Sequence, residues 1–110
     1  MSQNKENIFI EPWIDEEGWN QDVFNKIETP SYVISENHLE KNLKILNRVE
    51  IDTGCHVLMA LKGFSMFSMF PLARKYISGT EASCVNEARL GYKEFGKEVH
   101  VFSPSYTEKN

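Results

Sequence analysis

Short apolar runs alternate with helix-patterned stretches along most of this chain, and that alternation restricts its fold more than any other feature. Strands are predicted over 29–34, 56–62, 80–83 and 98–102. The first is β-branched and aromatic, with Pro30 at its start, where a missing N–H does least harm. A helical pattern follows, capped by Ser35 with Glu36 in its first turn and carrying Leu39, Leu43, Leu46 and Val49 as one apolar stripe. Glu40 and Lys44 pair on its wet side, and Thr53-Gly54 stops it. A second helix begins near Pro71, turns Leu72, Tyr76 and Ile77 inward, and ends at Ser78-Gly79. The third is capped by Ser83, buries Val85, Ala88, Tyr92 and Phe95, and is closed by Gly96. Small Ala88 and Gly91 let it approach a sheet closely. Repeated strand-helix steps of this kind predict an α/β fold with a parallel sheet.

A closed (β/α)8 barrel needs ~250 residues, and this chain has 110. It also stops just after a strand, where a helix is due. The expectation is an N-terminal piece of something larger, with a polar, acidic extension over 1–27 and the first β/α units over 28–110. Within the extension, Phe9, Trp13, Trp19 and Phe24 read as anchors to a body elsewhere. The large side chains from Phe64 to Phe70 read as packing against neighbouring strands rather than as a cofactor box.

The most informative stretch is His56 to Ser65. Val57 to Leu61 is an unbroken apolar run, suited to a strand buried on both faces, and Lys62 closes it. Gly63 then lets the backbone turn away. A lysine at the end of such a strand has two fates. It snorkels to water along its methylenes, or it stays in a partly dry pocket, where desolvation favours the neutral, nucleophilic amine.

Charge and cysteine content narrow the functional classes. Twelve Lys+Arg against sixteen Asp+Glu give a net charge of −4, which argues against a nucleic-acid partner. Cys55 and Cys84 stand alone, without the spacing of a metal site, and read as free thiols in a reducing compartment. No stretch approaches the ~20 apolar residues of a membrane span, and a cytoplasmic location is expected.

Four motifs occur in order: Thr29-Pro30-Ser31-Tyr32-Val33, Ala60-Leu61-Lys62-Gly63-Phe64-Ser65, Glu87-Ala88-Arg89-Leu90-Gly91, and Val99 to Tyr106. Together they resemble the start of the carboxynorspermidine (carboxyspermidine) decarboxylases, fold-type III pyridoxal-phosphate enzymes related to alanine racemase. The resemblance runs from about Asn25 to Tyr106. It implies the N-terminal portion of a pyridoxal 5'-phosphate-binding (β/α)8, alanine racemase-like barrel. It further implies a homodimer, a polyamine substrate, and Lys62 as the catalytic, cofactor-bearing Schiff-base lysine. The activity implied is decarboxylation of carboxynorspermidine or carboxyspermidine to norspermidine or spermidine, with the 110-residue chain inactive alone. No metal is implied. Leu61-Lys62-Gly63-Phe64-Ser65 favours this branch over the racemases and amino-acid decarboxylases, which stay open as alternatives, as does a catalytically silent product. Glu87 and Ser103 fall near strand ends, where they either support the site from behind or act only as caps and solvated groups. Arg89 reads as a surface helix residue.

Overall fold

The structure, a computed structural model, describes residues 21–108. Most of the expected acidic extension, with Phe9, Trp13 and Trp19, lies outside the described residues. The chain divides into two compact units, Met1–Leu39 and Glu40–Asn110.

In the first unit, α1 (Gln21–Asn25) carries a hydrogen bond from Gln21 Nε2 to Asn25 Oδ1 of 3.1 Å. Residues 29–34, expected as a strand, have no regular secondary structure, and Tyr32 is fully exposed. β-branched residues suit a pleated surface but do not supply the neighbouring strand. No such neighbour exists among the described residues of this unit. Ser35 caps the following helix as expected, its Oγ accepting the His38 N–H at 3.3 Å.

That helix, α2 (Glu36–Thr53), ends at Gly54, whose φ of 75° is the left-handed cap anticipated from sequence. The Lys44–Glu40 pair is present at 3.7 Å. The predicted apolar stripe holds only in part. Leu43 is buried, but Leu46 and Val49 are exposed. Glu40, Asn47 and Glu50 instead tie the helix to Val57 and to Tyr76 and Ser78, a polar seam. Asn47 Nδ2 donates to the Tyr76 carbonyl at 2.8 Å, and the Tyr76 hydroxyl donates to Glu40 Oε1 at 2.7 Å. Glu50 Oε1 accepts from Val57 N–H at 2.7 Å, Ser78 N–H at 3.0 Å and the Ser78 hydroxyl at 2.7 Å. Those partners hang on loops, so hydrophobic periodicity does not reveal them.

Burial alone would push the Glu50 carboxyl up, but its three donors outweigh that and hold it below the ordinary value of 4.5. The stabilisation is therefore complete above that ordinary value and is lost as pH falls through the lower folded value. Glu50→Gln keeps an acceptor at Oε1 but loses the charge. It should cost about 1 kcal/mol near neutral pH, and the difference from wild type should vanish in acid. Urea melts across that range check both halves.

The second unit is built on three parallel strands in the order β1-β2-β3: β1 (Leu58–Ala60), β2 (Gly79–Ala82) and β3 (Glu98–Val101). The register sets Leu58 beside Gly79 and Glu98, Met59 beside Thr80 and Val99, and Ala60 beside Glu81 and His100. The β1 ladder runs one bond further, from Leu61 N–H to the Glu81 carbonyl at 3.1 Å.

Between β1 and β2, a 3-10 turn (Phe67–Met69) leads into the short helix α3 (Phe70–Ala73), with Pro71 in its first turn. Phe70, Ala73 and Ile77 are buried, and Tyr76 is half-buried and spent on the polar seam. The Met/Phe cluster packs less than expected, since Met66 and Phe67 are exposed. Gly79, expected to end the helix, opens β2 instead. A Cβ there would collide with the Glu98 carbonyl on the adjoining strand.

After β2, α4 (Val85–Leu90) widens into a π turn (Gly91–Phe95), closed by Gly96 N–H bonding to the Gly91 carbonyl at 3.1 Å. The residue before α4 is Cys84, not the predicted Ser83, whose hydroxyl turns to Glu81 Oε1 at 3.4 Å. The extra residue in the wide turn re-phases the buried face. Gly91 and Phe95 lie inward, while Tyr92, predicted inward, is 75% exposed. Gly91 rests directly on Thr80, as close approach required. Phe95 meets Phe70 edge to face at 5.4 Å between centroids.

Candidate active site

Parallel strands put chemistry at their carboxyl ends, where the connecting loops converge. In this sheet those ends are Lys62 after β1, Ser83 after β2 and Phe102-Ser103 after β3. Lys62 is fixed in the backbone and free in the side chain. The N–H groups of Gly63 and Phe64 both donate to the Ala60 carbonyl, at 3.0 and 3.1 Å, folding a tight turn around it. Gly63 makes this turn without a positive φ, and a Cβ there would meet only the Ala60 oxygen at 3.5 Å. The turn therefore does not need glycine's conformational freedom.

Lys62 is exposed, and among the described residues no hydrogen bond or ion pair engages its ammonium. The partly dry pocket considered for it is not formed by these residues. The open side of the sheet beside it carries no covering layer among them.

The two faces of the sheet differ sharply. Thr80 and Ala82 are completely buried, with Thr80 lying under the π turn. Glu81, between them, lies on the opposite face by strand alternation, in one row with Ala60 and His100. At the other end of that face, His56 Nδ1 contacts Glu98 Oε2 at 2.6 Å, and His100 Nε2 lies 3.9 Å from Glu98 Oε1. His56 thus pairs across the sheet, and not with its neighbour Cys55. The sequence reading did not select Glu81 or His100. Period-two alternation around Thr80 was the signal that would have found Glu81.

The remaining candidates resolve plainly. The Ser103 hydroxyl donates to the Ser105 carbonyl at 2.9 Å, a local turn contact. Glu87 is half-buried on α4, and its Oε2 is enclosed without a hydrogen-bond partner among the described residues. Arg89 is exposed, as a surface helix residue should be. Cys55 and Cys84 are free and exposed. Among the described residues no set of three His, Cys, Asp or Glu side chains could hold a metal ion, and no helix is long and apolar enough to cross a membrane. A cavity of about 330 Å³ lies between α4 and the segment after β3, lined by Cys84, Ala88, Val101 and Tyr106 among others, and Lys62 is not part of its wall.

No family model matches the chain. It is 43% identical over 82 residues to a carboxyaminopropylagmatine decarboxylase from Synechocystis, covering 74% of this chain and 21% of that protein. It is 38% identical over 82 residues to a carboxynorspermidine/carboxyspermidine decarboxylase from Herminiimonas arsenicoxydans, covering 74% of this chain and 22% of that one. Among solved structures, it is similar to carboxynorspermidine decarboxylase from Campylobacter jejuni complexed with norspermidine. That likeness has a TM-score of 0.73 and 35% identity, and covers 76% of this chain and 23% of the other. The chain thus spans about a fifth of the length of the curated relatives it matches. Sequence and fold point the same way, and over about three quarters of its length this chain is similar to carboxynorspermidine/carboxyspermidine decarboxylases.

Proposed function

We propose that this chain carries the lysine-bearing part of a pyridoxal 5'-phosphate-dependent decarboxylase, which converts carboxynorspermidine or carboxyspermidine to norspermidine or spermidine. The single observation behind the reading is Lys62. It is a primary amine without a partner among the described residues, held by a tight turn at the carboxyl end of a parallel strand. It lies in a chain homologous to decarboxylases of this name. A free amine at a fixed backbone position is the donor that an aldehyde cofactor requires. On this reading the strands continue into a (β/α)8 barrel, the protein is a cytoplasmic homodimer, and further segments supply the groups that hold the cofactor's phosphate and ring.

Bound there, the cofactor supplies an electron sink for the pair left on carbon when the carboxylate departs as carbon dioxide. The protein's part is to present Lys62 from the backbone position that the Ala60 turn fixes, and to keep water away from the reacting carbon until a proton replaces the lost carboxylate. The relative named for carboxyaminopropylagmatine supports a second reading of the substrate, with a guanidinium at the far end of the chain. Turnover of the two substrates, compared side by side, separates them.

Borohydride reduction of the cofactor-loaded protein, followed by peptide mass spectrometry, should place the adduct on Lys62. An adduct on any other lysine overturns the assignment.

A further inference from the structure

We propose that Glu81 binds an ammonium group of the substrate, an inference that rests on the decarboxylase reading above. Its starting point is where the residue sits. Glu81 occupies the central strand of a parallel sheet, a position that in such sheets is ordinarily apolar on both faces. Its neighbours in the strand, Thr80 and Ala82, are fully buried on the covered face. The carboxylate therefore stands on the open face, beside Ala60 and hence one step from the turn that holds Lys62.

A carboxylate there is costly once the face is covered, unless a cation meets it. Among the described residues no cation does. Among the described residues its one hydrogen bond is a long one from the Ser83 hydroxyl, at 3.4 Å, on the side toward the strand's carboxyl end. Glu98, the other carboxylate of the face, is already taken by His56 at 2.6 Å. Of the two, only Glu81 lies toward the end of the sheet where Lys62 stands. A linear, multiply charged amine seated at Lys62 would have that carboxylate at the same end of the sheet. Compensation by that ligand accounts for a charge that the described residues leave uncompensated, and the acidic balance of the chain, −4, suits a polycation.

The experiment is norspermidine binding, by calorimetry, to the cofactor-loaded protein and to its E81Q and E98Q variants, with borohydride trapping on Lys62 measured in each. E81Q should bind about 10- to 100-fold more weakly, the usual size of a charge-assisted contact, with trapping unchanged. E98Q should bind within about twofold of wild type, as a charge committed elsewhere should. Equal affinity of E81Q and wild type overturns the proposal, as does an equal loss in E98Q or no binding to wild type. Should trapping on Lys62 fail while binding still depends on Glu81, the cofactor assignment falls and the present one stands.

Discussion

Replacing Lys62 with alanine is expected to lower decarboxylation by the proposed enzyme by about three orders of magnitude or more, with little change in fold. Covalent and proton-transfer roles of single side chains are commonly worth about 10²–10⁴-fold, and a Schiff-base lysine contributes to both. The side chain contributes nothing visible to stability. It is exposed, and no described residue bonds to its ammonium. The turn around it is made by backbone groups that alanine leaves intact. Lys62→Arg sharpens the test. Arginine keeps the charge and much of the length but stays protonated and does not condense with aldehydes at neutral pH. It should be as inactive as alanine. Steady-state rates alongside urea melts check the pair, and a variant melting like wild type while retaining more than about a tenth of its rate would remove Lys62 from the chemistry.

The second large effect falls on stability. Gly79→Ala should destabilise the 40–108 unit by about 3 kcal/mol, the upper range for forcing extra volume into a packed position. The added Cβ meets the backbone carbonyl of Glu98, which is tied into the parallel ladder and has no rotamer by which to withdraw. Gly91→Ala should cost about 1–3 kcal/mol. Its obstacle is the Thr80 side chain, which has some freedom to turn. Gly63→Ala is the control, since its Cβ enters ordinary contact distance only, 3.5 Å from the Ala60 oxygen. It should lie within about 0.5 kcal/mol of wild type. Denaturation midpoints in urea rank all three, and a neutral Gly79→Ala would refute the close approach of β2 to β3.

These glycines show what sequence patterning could and could not reveal. Gly91 is legible as a contact point, because a small residue amid helix-forming neighbours has few other uses. Gly79 looks like a helix stop in the sequence, since nothing local distinguishes a glycine after a helix from one that opens the next strand. The Ser35 cap and the Gly54 and Gly96 ends are legible because each rests on neighbours within a turn or two, and the parallel sheet because its strands alternate with helical patterns along the chain. The predicted strand over 29–34 fails for the opposite reason, because pairing depends on a partner far along the chain. The seam built by Asn47 and Glu50 was invisible for the same cause. At the candidate site, Lys62 was marked by its abrupt placement after five apolar residues. Glu81 was not, because register between strands assigns its face and its neighbours.

The wide turn at Gly91–Phe95 has a bearing on how this segment tolerates change in length. An α-helix advances about 100° per residue, so one surplus position, if not absorbed, would swing everything downstream out of phase. Here the surplus is taken up in a single loosened loop of backbone, and Phe95 still reaches Phe70. Deleting Tyr92 would remove the slack and leave a regular helix, with Phe95 still facing the sheet. Deleting a residue within α4 has no such reserve to draw on and would rotate the aromatic anchor away from its mate.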